Sequence, residues 1–149
     1  MLRALVGDDE TFIFALISDE NVRKFLGGVV PPNQRRDAVS KYLAFETEGT
    51  MWVVENGSRQ IGLISIAQHR DGEGSELSYQ FHPDFWGLGY ASEAALAVRD
   101  YFLNLRSPQI LVAETQAANA ASRRLLEVLG MRELRRVERF GAEQVLYIL

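Results

Sequence analysis

Apolar positions recur along this chain with two different periods, and each change of period marks the edge of an element. Residues 2–6 form a short apolar start that predicts an edge strand. Asp8, Asp9 and Glu10 follow, and acids there suit the positive end of a helix running over the apolar residues 12–17 to Ser18. A second short helix is predicted over residues 19–26, stopped by Gly27-Gly28 and Pro31-Pro32. Asn33 is expected to cap a third helix, in which Ala38, Tyr42, Leu43 and Phe45 fall at helical spacing and which ends near Gly49. The period then shortens. Residues 50–55 and 60–69 are rich in β-branched and aromatic side chains and are joined through Asn56-Gly57, a strong hairpin signal. After a polar loop over residues 70–75, the segment from Glu76 to His82 reads as a third strand, ended by Pro83, which has no ladder N–H.

A long helix is predicted from Gly89 to Leu105, with Ala94, Ala95, Val98, Tyr101, Phe102 and Leu105 as its apolar stripe and Pro108 barring its continuation. Residues 110–115 give a short buried strand. Residues 118–129 give a helix with Leu125, Leu126 and Leu129 on one face and Gly130 as its left-handed terminal residue. Two final strands, over residues 131–140 and 143–149, flank Gly141-Ala142. This order of helices and strands predicts an α/β (α+β) chain with a mixed sheet covered by helices on both faces.

The 149 residues show no interdomain linker, repeat or low-complexity tract, so one domain over residues 1–149 is expected, long enough to bury a sizeable core. With no cysteine, and with His69 and His82 the only histidines, thiolate nucleophiles and Cys- or His-rich metal sites are excluded, and no metal is expected. A formal net charge of -4 argues against a general nucleic-acid surface. The arginines of residues 123–139 are interleaved with Glu127, Glu133 and Glu138, which fits an ion-paired face better than an RNA site. No apolar run approaches the 18 or so residues of a membrane span, and the acids ahead of residues 12–17 are unlike a signal peptide; no membrane partner and a cytoplasmic location are expected.

The chemistry is concentrated in residues 84–94, Asp-Phe-Trp-Gly-Leu-Gly-Tyr-Ala-Ser-Glu-Ala, between a predicted strand and a predicted helix. Gly87 and Gly89 allow the backbone to turn sharply and bring successive N–H groups near an anion, while the helix beyond adds its positive end. A pyrophosphate fits such a cradle, and so does the plainer reading of a tight strand-to-helix turn. The spacing is neither the dinucleotide pattern nor a Walker A loop, so hydride transfer and nucleotide hydrolysis lose support.

The whole run resembles the acetyl-CoA-binding motif of the GNAT acyltransferases, Gln/Arg-x-x-Gly-x-Gly/Ala, with Ala91 as its final residue. In detail it looks like the RimJ/RimL branch, where tryptophan stands in the Gln/Arg place, here Trp86. Asn119-Ala120-Ala121-Ser122, Leu126-Glu127 and Gly130-Met131 match a second motif of that branch, and Glu76-Leu77-Ser78-Tyr79 precedes the first. The resemblance implies a GNAT-like, mostly antiparallel central sheet, flanked by helices and splayed at the cofactor strands. It implies acetyl-CoA as cosubstrate, with Tyr79, Gln80 and Phe81 along the pantetheine. Trp86, Gly87, Leu88, Gly89, Tyr90, Ala91 and Ser92 would hold the pyrophosphate, and Asn119 and Arg123 lie nearby. Residues 25–30 fall where family members contact their acceptor, and a monomer or homodimer is compatible with the family.

Acyl transfer from a thioester to an amine asks for a base, for donors to the carbonyl and for stabilisation of the leaving thiolate. Glu76 reads either as the base or as a solvated acid continuing the loop before it. Many family members carry a tyrosine where this chain has Leu126, which cannot donate a proton; Ser122, or water held near Asn119, is the substitute candidate, the plainer reading being that Ser122 only bonds its own helix and Asn119 only caps it. The leading expectation is an N-acetyltransferase passing acetyl directly to a primary amine, on a small molecule or a protein N-terminus. The competing one is a noncatalytic acyl-CoA-binding module.

Overall fold

The computed structural model describes residues 1–105 and 110–149; Pro108 lies outside them. Among the described residues seven strands form one sheet in the order β1-β2-β3-β4-β5-β7-β6. The strands are β1 (Leu2–Ala4), β2 (Gly49–Asn56), β3 (Arg59–Gln68), β4 (Ser75–Phe81), β5 (Leu111–Gln116), β6 (Arg132–Arg139) and β7 (Ala142–Ile148). All neighbours are antiparallel except β4 and β5. The helices are α1 (Glu10–Ser18), α2 (Glu20–Arg23), α3 (Arg35–Leu43), α4 (Tyr90–Leu103) and α5 (Ala120–Val128). No helix among the described residues is long and apolar enough to cross a membrane.

Strand alternation divides the apolar residues between the two faces of the sheet. Leu77 and Phe81 of β4 join Ala94, Ala95, Val98 and Phe102 of α4 and Leu126 of α5 in one core cluster. Val53 and Leu63 join Ile13, Leu16, Ile17, Val22 and Val39, from α1, α2 and α3, in a second cluster on the opposite face. The short first strand is tied down by charge. Arg3 bonds the buried carboxylate of Asp9 at 2.7 Å and Glu55 at 2.7 Å, so β1 is anchored to α1 and β2 together.

Two expectations need correction. Asn33 does not cap the third helix: residues 32–34 form a 3-10 turn, and α3 starts after Gln34 with no side-chain cap. Pro31 and Pro32 preset a tight turn there before regular helix begins. Tyr101 leaves the buried stripe of α4, being 51% exposed, and the helix ends at Leu103, short of Leu105, which is 40% exposed. Tyr101 instead meets the edge of Trp52, with ring centroids 5.6 Å apart.

The feature that makes a site is a failure of pairing. β4 and β5 are in register at Ser75↔Leu111 and Glu76↔Val112 and then part, while β5 continues alongside β7 as far as Gln116. The β5-facing backbone edge of residues 77–81 is thereby left without a neighbouring strand. Gly74 sets the junction. Its φ is +137°, and a Cβ there would collide with the Ile110 carbonyl oxygen, which receives the Ser75 N–H at 2.8 Å. Gly74→Ala is therefore expected to cost about 2 kcal/mol or more, from backbone strain and overpacking together. In a chain of this length that lowers the thermal midpoint by roughly 4–8 °C. An unchanged midpoint in a thermal melt would show that the junction tolerates a side chain.

Candidate active site

The cleft between the diverging strands opens into a cavity of about 710 Å³, within the range of small-molecule sites. Its floor is β4, from Glu76 to Phe81. One wall comes from β5 and the start of α5, including Glu114, Thr115, Asn119 and Ser122. A second comes from Asn21, Lys24, Phe25 and Leu26 at and just after α2. The third is the strand-to-helix loop, through Trp86, Gly87, Gly89, Ala91 and Ser92.

That loop is shaped by its glycines. Gly87 and Gly89 have φ of 73° and 86°, values that cost an L-residue strain, and Gly89 is the N-cap of α4. The loop is held from below by Trp86, whose Nε1 donates to the Phe81 carbonyl at 2.8 Å. The N-terminal end of a 14-residue helix, with its unpaired N–H groups and positive dipole end, thus borders the cavity. Leu88 and Tyr90 alternate away from it. Leu88 is 63% exposed, and Tyr90 packs against Phe85 and accepts a hydrogen bond at its hydroxyl from Asn56 Nδ2 at 2.8 Å.

β4 presents different chemistry to its two sides. On the face shared with α3 lie Glu76, Ser78 and Gln80, and Gln80 Nε2 donates to the Tyr42 hydroxyl at 2.8 Å. Burial pushes the Glu76 carboxyl above the ordinary carboxylate range, with Glu114 adding to the rise while His69, Arg70 and Arg139 oppose it. Glu114 is itself engaged, with Oε2 3.1 Å from His69 Nε2 and Oε1 3.4 Å from Arg139 Nε. On the other face Tyr79 reaches α5, its hydroxyl 2.7 Å from Ser122 Oγ, and desolvation pushes its phenol up to about 12.

Asn119 caps α5 by accepting the Ser122 N–H at its side-chain oxygen, at 3.2 Å. Arg123, expected beside a cofactor phosphate, is not among the residues lining the cavity. Its Nε donates to the Tyr147 hydroxyl at 3.0 Å and its terminal nitrogen lies 3.8 Å from Glu133, so it leans over β7 and β6; Arg124 lines the cavity instead. Neighbouring helix positions point about 100° apart, and which of them faces the cleft depends on how α5 docks on β5.

Two further groups were not singled out from the sequence. One is the hydroxyl of Tyr79, a residue named from the sequence only for its place on the strand, which meets Ser122 across the cavity wall. The segment from His69 to Gly74 folds over β5 and β6, where Arg139 binds Asp71 at 2.6 Å and Arg135 binds Asp71 at 3.0 Å and Glu73 at 2.5 Å. Among the described residues Arg135, Arg136 and Arg139 of that strand are ion-paired, with three of their six pairs made to this distant loop and, of the interleaved acids, only Glu133 taking part. Histidine and arginine beside acids in separate segments carry no spacing signal that would have revealed this.

Comparison with known proteins decides the family. The model of the acetyltransferase (GNAT) domain matches residues 1–132. The chain belongs to the GNAT acetyltransferases. It is 26% identical over 133 residues to the uncharacterized N-acetyltransferase YnaD of Bacillus subtilis, covering 89% of this chain and 78% of that one. Its fold is shared with a spermidine N-acetyltransferase from Vibrio cholerae solved with CoA and spermine, at a TM-score of 0.80, 19% identity, and 99% and 92% of the two chains. It is also shared with the Salmonella typhimurium acetyltransferase that modifies the N-terminal serine of ribosomal protein L7/L12, at a TM-score of 0.82, 14% identity, and 99% and 92% coverage. This GNAT acetyltransferase therefore has the mixed, mostly antiparallel sheet its sequence implied, and its cleft lies at the diverging strands.

The raised carboxyl of Glu76 has a measurable sign. Its protonated form is favoured by folding, so the stability it contributes is present at low pH and lost as pH climbs from the ordinary carboxylate range through the raised value. Glu76→Gln should therefore melt above the wild type at pH 8 and close to it at pH 4. A gap between the two melting curves that is equal at both pH values, or reversed, contradicts this reading.

Proposed function

We propose that this GNAT enzyme, of the RimJ/RimL-like branch, binds acetyl-CoA in the cleft between β4 and β5 and passes acetyl directly to a primary amine, with residues 1–149 acting as one acetyltransferase domain. The observation that carries the reading is the junction of the free edge of residues 77–81 with the glycine cradle at the start of α4, both on one cavity. An extended amide chain docks on the first, as pantetheine would along Tyr79, Gln80 and Phe81, and a pyrophosphate on the second. Acetyl-CoA supplies the activated thioester.

This chain's residues then divide the work. Backbone N–H groups on the free edge of β4 meet the carbonyl oxygen, where negative charge develops. Glu76 is the base that removes the proton from the attacking nitrogen, helped by a carboxyl already raised toward neutrality. Ser122 faces the leaving sulfur, in the place of the phenol that Leu126 does not provide. The acceptor, a small-molecule amine or a protein N-terminus, enters past Phe25 and Leu26, which line the cavity.

The test begins with binding. Acetyl-CoA and CoA should each raise the melting temperature, by about 2.7 kcal/mol of added stability at 100 times the dissociation constant, while NAD and ATP leave it unchanged. Gly89→Val, which forces a branched side chain into a left-handed position, should weaken CoA binding at least tenfold. Spermidine, kanamycin and a serine-initiated peptide are then offered with acetyl-CoA. Glu76→Gln should lower kcat by a factor of about 10²–10⁴ for any of them that turns over. Binding of CoA without turnover of any amine supports the acyl-CoA-binding module instead, and an absence of CoA binding removes the assignment altogether.

A further inference from the structure

On α5 the position at which many relatives carry a phenol is Leu126, which is 1% exposed and has no proton to give. The structure brings a phenol to the same region from the opposite wall. Tyr79 rises from β4 among the side chains packed against the α4 and α5 core, and its hydroxyl stops 2.7 Å from Ser122 Oγ and 3.4 Å from the Ser122 carbonyl oxygen. Both residues line the cavity. The contact spans the cleft at the point where β4 has lost its strand neighbour, so it is a bridge between the two halves of the split sheet.

Either hydroxyl can donate in this contact, and the groups around it are compatible with Tyr79 as the donor. Burial raises the Tyr79 phenol to about 12, so the hydroxyl keeps its proton at any ordinary pH and is available as a donor. The carbonyl at 3.4 Å is beyond good O–H···O geometry, whereas Oγ at 2.7 Å is ideal. Ser122 N is already given to Asn119 Oδ1. Among the described residues, Ser122 Oγ has no hydrogen-bond partner besides Tyr79. A serine hydroxyl that accepts from a phenol keeps its own hydrogen for another acceptor.

We propose that Tyr79 is a positioning residue for release of the thiolate: its hydroxyl donates to Ser122 Oγ and so directs the Ser122 O–H at the sulfur in the cleft. The inference rests on the acetyl-transfer reading above. In the step concerned the acceptor nitrogen bonds to the acetyl carbon, the carbon–sulfur bond breaks with its electron pair staying on sulfur, the proton of the nitrogen goes to Glu76, and the sulfur leaves as a thiolate carrying a hydrogen bond from Ser122. Neither hydroxyl gives up its proton. The pair acts by holding charge in place, as preorganised donors do.

The experiment compares binding of CoA with that of desulfo-CoA, in which the thiol is replaced by hydrogen, by calorimetry at pH 9 on the wild type, Tyr79→Phe and Ser122→Ala. The wild type should prefer CoA by about tenfold, the worth of one charge-assisted hydrogen bond. Each variant should bring the preference close to unity while affinity for desulfo-CoA stays the same, and the double variant should add nothing further. With an acceptor that turns over, Tyr79→Phe should lower kcat and leave the KM for acetyl-CoA unchanged. A CoA preference equal in all the proteins overturns the inference and leaves acetyl transfer standing, since the contact would then only tie β4 to α5. Failure of the wild type to bind either ligand overturns both. A loss of desulfo-CoA affinity in Tyr79→Phe, with the CoA preference retained, marks a packing role and also overturns it.

Discussion

Everything that makes this protein a candidate catalyst depends on two strands ceasing to pair. β4 and β5 are joined at Ser75 and Glu76 and then diverge, each satisfied on its far side, β4 by β3 and β5 by β7. A sheet interior ordinarily leaves no free backbone groups, because an unpaired buried N–H or C=O is costly. Here the free edge opens into a cavity, where its backbone groups have no neighbouring strand. The parallel sense of this one pair matters as well. It needs a crossover, and that crossover is α4, whose N-terminal end therefore begins beside the cleft.

The cleft is bordered by groups whose charges are managed from outside it. Glu114 would add a second free carboxylate next to Glu76, but His69 and Arg139 occupy its two oxygens. Glu76 is left as the carboxylate whose proton affinity burial can tune. The His69 to Gly74 segment that brings the histidine is pinned through Asp71 and Glu73 to the arginines of β6. Exposed ion pairs contribute little to stability one by one. Several converging on one loop act as a network that decides where a buried histidine sits. Arg70, stacked 4.5 Å from the centre of the Phe140 ring, adds a further tie at the β6–β7 turn.

The elements were legible in the sequence wherever the local signal was strong. The hairpin at Asn56-Gly57, the stop at Pro83, the left-handed Gly87, Gly89 and Gly130 and the amphipathic start of α5 all appear where their chemistry puts them. Errors fell where local rules compete. Asn33 is a good capping residue, but two prolines ahead of it make a 3-10 turn the better solution. Around the cavity, the glycine turn and the place of Glu76 on β4 were readable because each lies in a contiguous motif. Arg124 rather than Arg123, the Tyr79–Ser122 bridge and the His69–Glu114 pair were not, since each joins residues through docking.

By itself the sequence determined the order of elements, the two apolar faces, the glycine turn at the start of α4 and the family. These follow from periodicity, from glycine's freedom at positive φ and from motifs written over a dozen neighbouring residues. Tertiary structure alone decided that β4 and β5 part after Glu76, that Tyr79 meets Ser122 across the gap and that burial raises the Glu76 carboxyl. The physical reason is the same in each case: distance and desolvation are properties of the packed whole, set between segments that the chain order keeps tens of residues apart.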